Sequence, residues 1–176
     1  MKVYCMRHGQ SEYNVLGLCN NDPKRDVRLT ERGRRQAVAA AHELKEVALE
    51  RIFCSELPRT RETAEIVNRH HGVPVQPHPT LNDIRSGCDG EPVENYFRAI
   101  GHDRLNARAR GGETLIEHKQ RVLGFLDWLR HQPHHIVLVV AHEETLRVFA
   151  AQARDLSDEA MCGMAFRNCQ VLSFEL

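Results

Sequence analysis

The run Ile136-Val137-Leu138-Val139-Val140-Ala141 decides the fold of this chain. A strand with one wet face alternates polar and apolar residues. An uninterrupted aliphatic run instead marks a strand buried on both faces, as in a parallel sheet between two helical layers. The predicted strand, His135 to Ala141, sits between two helical patterns. Before it, Gly111-Gly112 breaks the chain and Ile116, Val122, Leu123, Leu126 and Leu129 recur at helical spacing within Glu113–Arg130. After it, a helix is predicted from Glu143 to Ala153. Further outward the same alternation continues. Lys2–Met6 reads as a strand and the polar stretch Gly9–Arg28 as a long loop. Thr30 caps a helix that runs to about Val47. Arg51–Cys54 reads as a strand, Pro58 opens a helix reaching about His70, and Val73–Gln76 reads as a third strand. A Gly- and Pro-rich loop, Pro77–Pro92, precedes a weaker helix over Val93–Arg104, and Val171–Glu175 closes the chain as a strand. The prediction is an α/β fold: a three-layer sandwich with a mostly parallel, doubly wound sheet, formed as one domain over residues 1–176.

Composition limits what such a domain does. The 176 residues carry 24 basic and 24 acidic side chains, so the formal net charge is zero. A binder of nucleic acid or of an anionic membrane surface usually carries a basic excess, so neither partner is expected. At 41% hydrophobic and 27% charged the chain has enough apolar residues for a core, which argues against disorder. No apolar run approaches the roughly 18 residues that span a bilayer, and MKVYCMRHG lacks the apolar segment of a secretory leader. The six cysteines form no CxxC pair, so reduced thiols and a cytoplasmic location are expected. Twenty of the 24 basic residues are Arg, the better bidentate clamp for an oxyanion.

In open α/β sheets ligands sit just beyond the carboxyl ends of the strands. Those positions hold Arg7-His8-Gly9, then Ser55-Glu56-Leu57-Pro58-Arg59, then Leu81-Asn82-Asp83, then His142-Glu143-Glu144. Two arginines, two histidines and a carboxylate converge on one edge, and these types suit phosphoryl transfer. An unprotonated imidazole nitrogen can attack phosphorus, cations can surround the phosphoryl oxygens, and a carboxylic acid can protonate the departing oxygen. Cationic side chains can supply the charge compensation of a metal ion, so no metal and no cofactor is expected. His70-His71 and His134-His135 lack further ligands at suitable spacing. Cys19 and Arg25 share the C-x5-R spacing of cysteine phosphatases, but the intervening Asp22 and Pro23 spoil a phosphate cradle. The basic stretch Arg98–Arg110 reads as a solvated face, with help in admitting an anionic substrate as the alternative.

Met6-Arg7-His8-Gly9-Gln10-Ser11-Glu12-Tyr13-Asn14 resembles the signature of the histidine phosphatase superfamily, the phosphoglycerate mutase-like family. The resemblance continues through Leu29-Thr30-Glu31-Arg32-Gly33, Ser55-Glu56-Leu57-Pro58-Arg59-Thr60, Gly111-Gly112-Glu113-Thr114 and Val140-Ala141-His142, in the family's order and spacing. It implies a doubly wound sandwich with one antiparallel strand. It further implies that His8 is the nucleophile forming a phosphohistidine, that Arg7, Arg59 and His142 bind the phosphoryl group, and that Asn14 bonds a phosphate oxygen. Asp83 aligns with the proton donor of the phosphatase branch. Ser11 and Glu143 complete the candidate substrate-binding set. Two departures stand out. The donor is usually Glu, and the loop after Asp83 is altered, which leaves Asp89 and Glu91 as rivals. The second histidine is usually followed by small residues, whereas Glu143-Glu144 follow it here. The short segment between Asp83 and Gly111 argues against the mutases, which resemble longer chains with a larger insertion. The expected activity is metal-independent hydrolysis of a small phosphorylated metabolite by a monomer or homodimer. The alternatives are mutase-type phosphoryl transfer and a non-catalytic module binding a phospho-ligand or a protein.

Overall fold

The computed structural model of the protein describes residues 1–176. Its elements in chain order are β1 (Lys2–Arg7), α1 (Glu12–Leu16), α2 (Glu31–Leu44), β2 (Arg51–Cys54), α3 (Pro58–Asn68), β3 (Val75–Pro77), α4 (Val93–Ile100), α5 (Leu115–Arg130), β4 (Ile136–Ala141), α6 (Glu143–Arg154), α7 (Asp158–Cys162) and β5 (Val171–Glu175), with a 3-10 turn at Pro79–Leu81. The sheet order is β3-β2-β4-β1-β5. Four strands are parallel, with Val3 opposite Val137 and Ile52 opposite Leu138. The edge strand β5 is antiparallel to β1, Lys2 facing Glu175.

The aliphatic run fills β4, and its side chains divide between two cores. Val137, Val139 and Ala141 pack with Val3, Cys5 and Phe53 against Val122, Phe125, Leu126 and Leu129 of α5 and Leu146 and Phe149 of α6. Leu138 and Val140 point the other way, with Met6, Ile52 and Cys54, onto Ala37, Ala41 and Leu44 of α2 and Ala64 and Val67 of α3. Burying each large aliphatic or aromatic side chain contributes about 1.5–3 kcal/mol. No helix is long and apolar enough to cross a membrane.

Two short helices lie where no helix is predicted. In α1 the Ser11 hydroxyl accepts from the Asn14 amide and the Asn14 side chain accepts from the Ser11 amide, a reciprocal capping box, and Gly17 closes the helix in the left-handed region. These local bonds turn a polar stretch without apolar periodicity into a helix. In α7 Ser157 caps five residues that bury Met161. The helices also stop earlier than periodicity suggests: α2 at Leu44 and not Val47, α3 at Asn68 and not His70, α4 at Ile100 and not Arg104. The third strand is Val75–Pro77 and not Val73–Gln76.

β4 lies between β2 and β1, with α2 and α3 on one face of the sheet and α5 and α6 on the other. The carboxyl ends of three neighbouring parallel strands therefore deliver Ser55, His8 and His142 to one spot, where the chain switches direction across the sheet.

Candidate active site

His8 follows β1 directly and is 3% exposed. Its Nδ1 lies 2.7 Å from the Gly9 carbonyl, which can only accept, so the ring proton sits on Nδ1. Nε2 is then a free lone pair, and it receives the Arg59 Nε–H at 3.1 Å. Burial, and after it the nearby Arg59, His142 and Arg7, hold the His8 pKa well below its ordinary 6.5. The imidazole is neutral at pH 7, the state a nucleophile requires.

A close backbone approach fixes the turn after His8. A Cβ on Gly33, in the first turn of α2, would lie 2.0 Å from the Gln10 carbonyl oxygen. Only glycine allows α2 to pack onto the His8–Gln10 turn, which gives a physical reason for Gly33 in the second motif. The Gly9 amide donates to Thr63 Oγ1 at 3.1 Å, which ties the same turn to α3.

Arg59 enters from the first turn of α3 and is 4% exposed. Besides His8, its guanidinium reaches Asn20 Oδ1 at 2.5 Å, the Asn20 carbonyl at 2.9 Å and Asp83 Oδ2 at 2.9 Å. His142 caps β4, and its ring centroid lies 5.3 Å from that of His8. Its Nε2 meets Ser55 Oγ at 2.9 Å, and Ser55 Oγ meets Thr60 Oγ1 at 2.6 Å. Its Nδ1 faces Arg59 Nη2 at 3.3 Å and Asp83 Oδ2 at 3.4 Å. Burial, then Arg59, His118 and Arg7, lower its pKa well below 6.5 as well. Arg7 reaches the Phe166 carbonyl at 2.5 Å and Glu143 at 2.6 Å through Nη1, while its buried Nε has no partner within the protein.

Arg7, His8, Ser11, Asn14, Arg59, Asp83, His142 and Glu143 all line one pocket of about 230 Å³. Three of the expected side chains carry structural duties there. Ser11 and Asn14 hold each other in the α1 capping box, and Asn14 Oδ1 also accepts from Asn168 at 3.3 Å. Glu143 clamps Arg7, and its other oxygen accepts from Arg147 at 3.1 Å. The rivals of Asp83 are engaged elsewhere. Asp89 accepts the Asn21 and Asp22 amides at 2.7 and 3.2 Å and pairs with Arg25 at 2.5 Å. Glu91 pairs with Arg110 and accepts from Asn95. Neither lines the pocket, and Asp83 does.

Sequence reasoning missed the support beneath Asp83. Glu113 is 2% exposed and accepts from Arg121 and from the Arg85 amide at 3.0 Å, with His118 Nδ1 3.2 Å from its carboxylate. Arg121 in turn donates to the Thr80 and Asn82 carbonyls at 2.7 and 2.9 Å, so it holds the backbone that presents Asp83. A Cβ on Gly112 would lie 2.2 Å from the Arg85 carbonyl oxygen, so this glycine lets the support approach the loop. The Gly-Gly-Glu-Thr motif was visible, but its target, a loop some thirty residues earlier, was not. Asn20, the second holder of Arg59, carried no signal beyond a polar Asn-Asn-Asp-Pro loop.

Comparison with known proteins shows the family and the fold. The family model of the histidine phosphatase superfamily (branch 1) matches residues 3–176. The chain belongs to that superfamily. It is 32% identical over 171 residues to the adenosylcobalamin/alpha-ribazole phosphatase of Escherichia coli K12, covering 92% of this chain and 83% of the relative. It is 27% identical over 180 residues to a protein named "Probable phosphoglycerate mutase GpmB" of Erwinia tasmaniensis, covering 97% and 83%. Among solved structures, the alpha-ribazole phosphatase of Shigella flexneri superposes with a TM-score of 0.88 at 26% identity, over 98% of this chain and 89% of that one. The five-strand sheet with one antiparallel edge is therefore the fold shared with these superfamily members.

Proposed function

We propose that residues 1–176 form one catalytic domain that hydrolyses a phosphomonoester through a phosphohistidine on His8. The observation that supports this most is the pair of contacts on the His8 ring: Nδ1 against the Gly9 carbonyl and Nε2 under Arg59 Nε. They present an unprotonated nitrogen beside the cation that its target would need.

Arg59 and Arg7 turn their free N–H groups to the phosphoryl oxygens, joined by His142. The unpartnered Arg7 Nε suits an oxygen acceptor. His8 Nε2 attacks phosphorus as the ester P–O bond breaks. Asp83, released by Arg59 as Arg59 moves onto the phosphoryl group, takes up the acidic proton of the ester's monoanion and passes it to the leaving oxygen. Water then attacks the phosphohistidine, Asp83 takes the water's proton, and breakage of the P–N bond returns phosphate and free His8. Within this scheme Asn14 and Ser11 shape the pocket floor through the α1 cap, and Glu143 orients Arg7.

The substrate is a small phosphorylated metabolite, and the location is the cytoplasm. The Escherichia and Shigella relatives are named for alpha-ribazole phosphatase activity and the Erwinia relative for mutase activity. Hydrolysis suits this chain better. Among the pocket-lining residues only Arg7 and Arg59 are cations, and both lie at the phosphoryl end.

Phosphate release from a broad monoester panel, by wild type and His8→Ala in the presence of EDTA, tests the proposal. Wild type should turn over, and His8→Ala should lose activity by about 10⁴-fold or more. Full activity in His8→Ala would sink the mechanism, and loss of wild-type activity to EDTA would sink the metal-free scheme. Transfer between phosphoglycerates without phosphate release would mark a mutase, and binding without release a non-catalytic member.

A further inference from the structure

The half of the pocket beyond the phosphoryl end carries its own information. Its wall is formed by Leu18 at the end of the α1 turn, Val93, Tyr96 and Phe97 of α4, and Glu144 of α6. The pocket lining as a whole holds two guanidinium cations, Arg7 and Arg59, against three carboxylates, Asp83, Glu143 and Glu144. A bound phosphoryl group would use both cations and add negative charge of its own.

Glu143 and Asp83 are already paired with Arg7 and Arg59. Glu144 is paired only loosely: no side chain hydrogen-bonds its carboxylate, and its nearest cation, Arg147 Nη1, is 3.8 Å away and shared with Glu143. Of the other cations nearby, one is paired and one lies outside the pocket. Arg25 pairs with Asp89 and donates to Tyr13 at 3.4 Å. Arg104 stands over the Phe97 ring at 5.6 Å and lines a neighbouring crevice of about 10 Å³, not the pocket. Burial, with Asp83 beside it, raises the Glu144 pKa to about 7, so raising the pH above that increases the charged fraction of its carboxylate.

Resting on the phosphatase reading, we infer that this wall selects monoesters whose alcohol part is uncharged or cationic and presents an apolar or aromatic face, and that Glu144 is the residue that rejects a second anionic group. A leaving group with a carboxylate or second phosphate would meet Glu144 with no unpaired cation in the pocket lining to offset it. An aryl or alkyl face would meet Leu18, Val93 and Phe97. Selection of this kind works by exclusion as much as by attraction.

The test compares phenyl phosphate with 4-carboxyphenyl phosphate at pH 8, two esters that differ by one charge far from phosphorus. Wild type should favour phenyl phosphate in kcat/KM by about 10- to 100-fold, the scale of one partly buried like-charge contact. Glu144→Gln should shrink that preference by about 10-fold. Phe97→Lys, at a position already 45% exposed and so tolerant of charge, should shrink it as well by adding a cation to the wall. Calorimetric binding of both esters to His8→Ala, which cannot form the phosphohistidine, gives the same ratio without turnover. If wild type hydrolyses neither ester, the phosphatase reading fails, while the binding ratio still decides the selectivity. Equal kcat/KM and equal binding for the two esters overturn the inference. So does a preference that both variants leave unchanged while their thermal unfolding stays cooperative.

Discussion

The two ends of the pocket are built on different principles. At the phosphoryl end every reactive side chain is held by several directed bonds. His8 has Gly9 and Arg59, His142 has Ser55, and Arg59 has Asn20 and Asp83 as well as the two rings. These groups come from the carboxyl ends of β1, β2 and β4, whose positions are fixed by the two cores. At the leaving-group end, Leu18 and Val93 are placed by backbone bonds to Tyr13 and Gly17, Phe97 is half exposed, and no other side chain hydrogen-bonds the Glu144 carboxylate. Chemistry that depends on sub-ångström placement sits on the sheet and is pre-organised by a network. Selection among alcohols, which needs only shape and charge sign, sits on α4 and the start of α6. Substitutions at the first end should therefore damage turnover for every ester, and those at the second should change the ranking of esters.

Arg59 offers the strongest way to break that contrast. Arg59→Ala removes the donor to His8 Nε2, leaves Asn20 Oδ1 and Asp83 without their cation, and strips the phosphoryl group of a clamp. The expected loss is about 10²- to 10³-fold in kcat/KM, or about 3–4 kcal/mol, for charged and neutral esters alike. Arg59→Lys should recover little, because a single ammonium cannot serve His8, Asn20 and Asp83 together. Steady-state kinetics on two dissimilar esters decides the matter. A lysine variant within a few-fold of wild type would show that charge alone suffices at this position.

A smaller effect, on stability, is expected beneath the Asp83 loop. Burial works against the charge on Glu113, but the donors His118 and Arg121 outweigh it and lower its pKa from 4.5 to about 2. A carboxylate depressed in the folded state stabilises the fold above its unfolded pKa. That stability is lost as pH falls from about 4.5 toward about 2. The side chain is 1% exposed, so solvent screens little of it, and the shift corresponds to about 3 kcal/mol. In urea unfolding, Glu113→Gln should be destabilised at pH 7 by that order, and the gap to wild type should narrow toward pH 3. A gap independent of pH would mean that packing, and not the carboxylate charge, carries the role of Glu113.

The same division governs how much of the molecule was legible in its sequence. β4 declares itself because six consecutive apolar residues have no other soluble use. The placement of Arg7-His8 and His142 directly after two strands, and of Arg59 in the helix start that follows a third, reports the phosphoryl end without a structure, because periodicity already places those strands. Long-range support left no such mark. Asn20 reaches Arg59 across 39 positions and Arg121 reaches Thr80 across 41, and neither lies in a pattern with its target. Helix α1 was hidden for the opposite reason. Its signal is a local exchange of side-chain and backbone bonds between Ser11 and Asn14, which apolar periodicity does not register. Glu143, a candidate substrate-binding residue, lines the pocket, and its pairing there with Arg7 is a contact that chain spacing could not reveal.

The smallest effect belongs to the leaving-group wall, and it is the most selective. Phe97 lines the pocket with an exposed ring, so it can cover an aromatic substituent while contributing little to the core. Aromatic contacts of this kind are worth about 0.5–1.5 kcal/mol beyond burial. Phe97→Ala should therefore raise KM for phenyl phosphate by about 3- to 10-fold. For glycerol 2-phosphate, which has no ring to stack, the rise should be distinctly smaller. In both cases kcat should move less than KM, since the ring is remote from the reacting phosphorus. Equal changes in KM for the two esters would mean that Phe97 only shapes the pocket mouth. A fall in kcat shared by both would instead show that α4 is coupled to the phosphoryl end, and the separation of the two halves would fail.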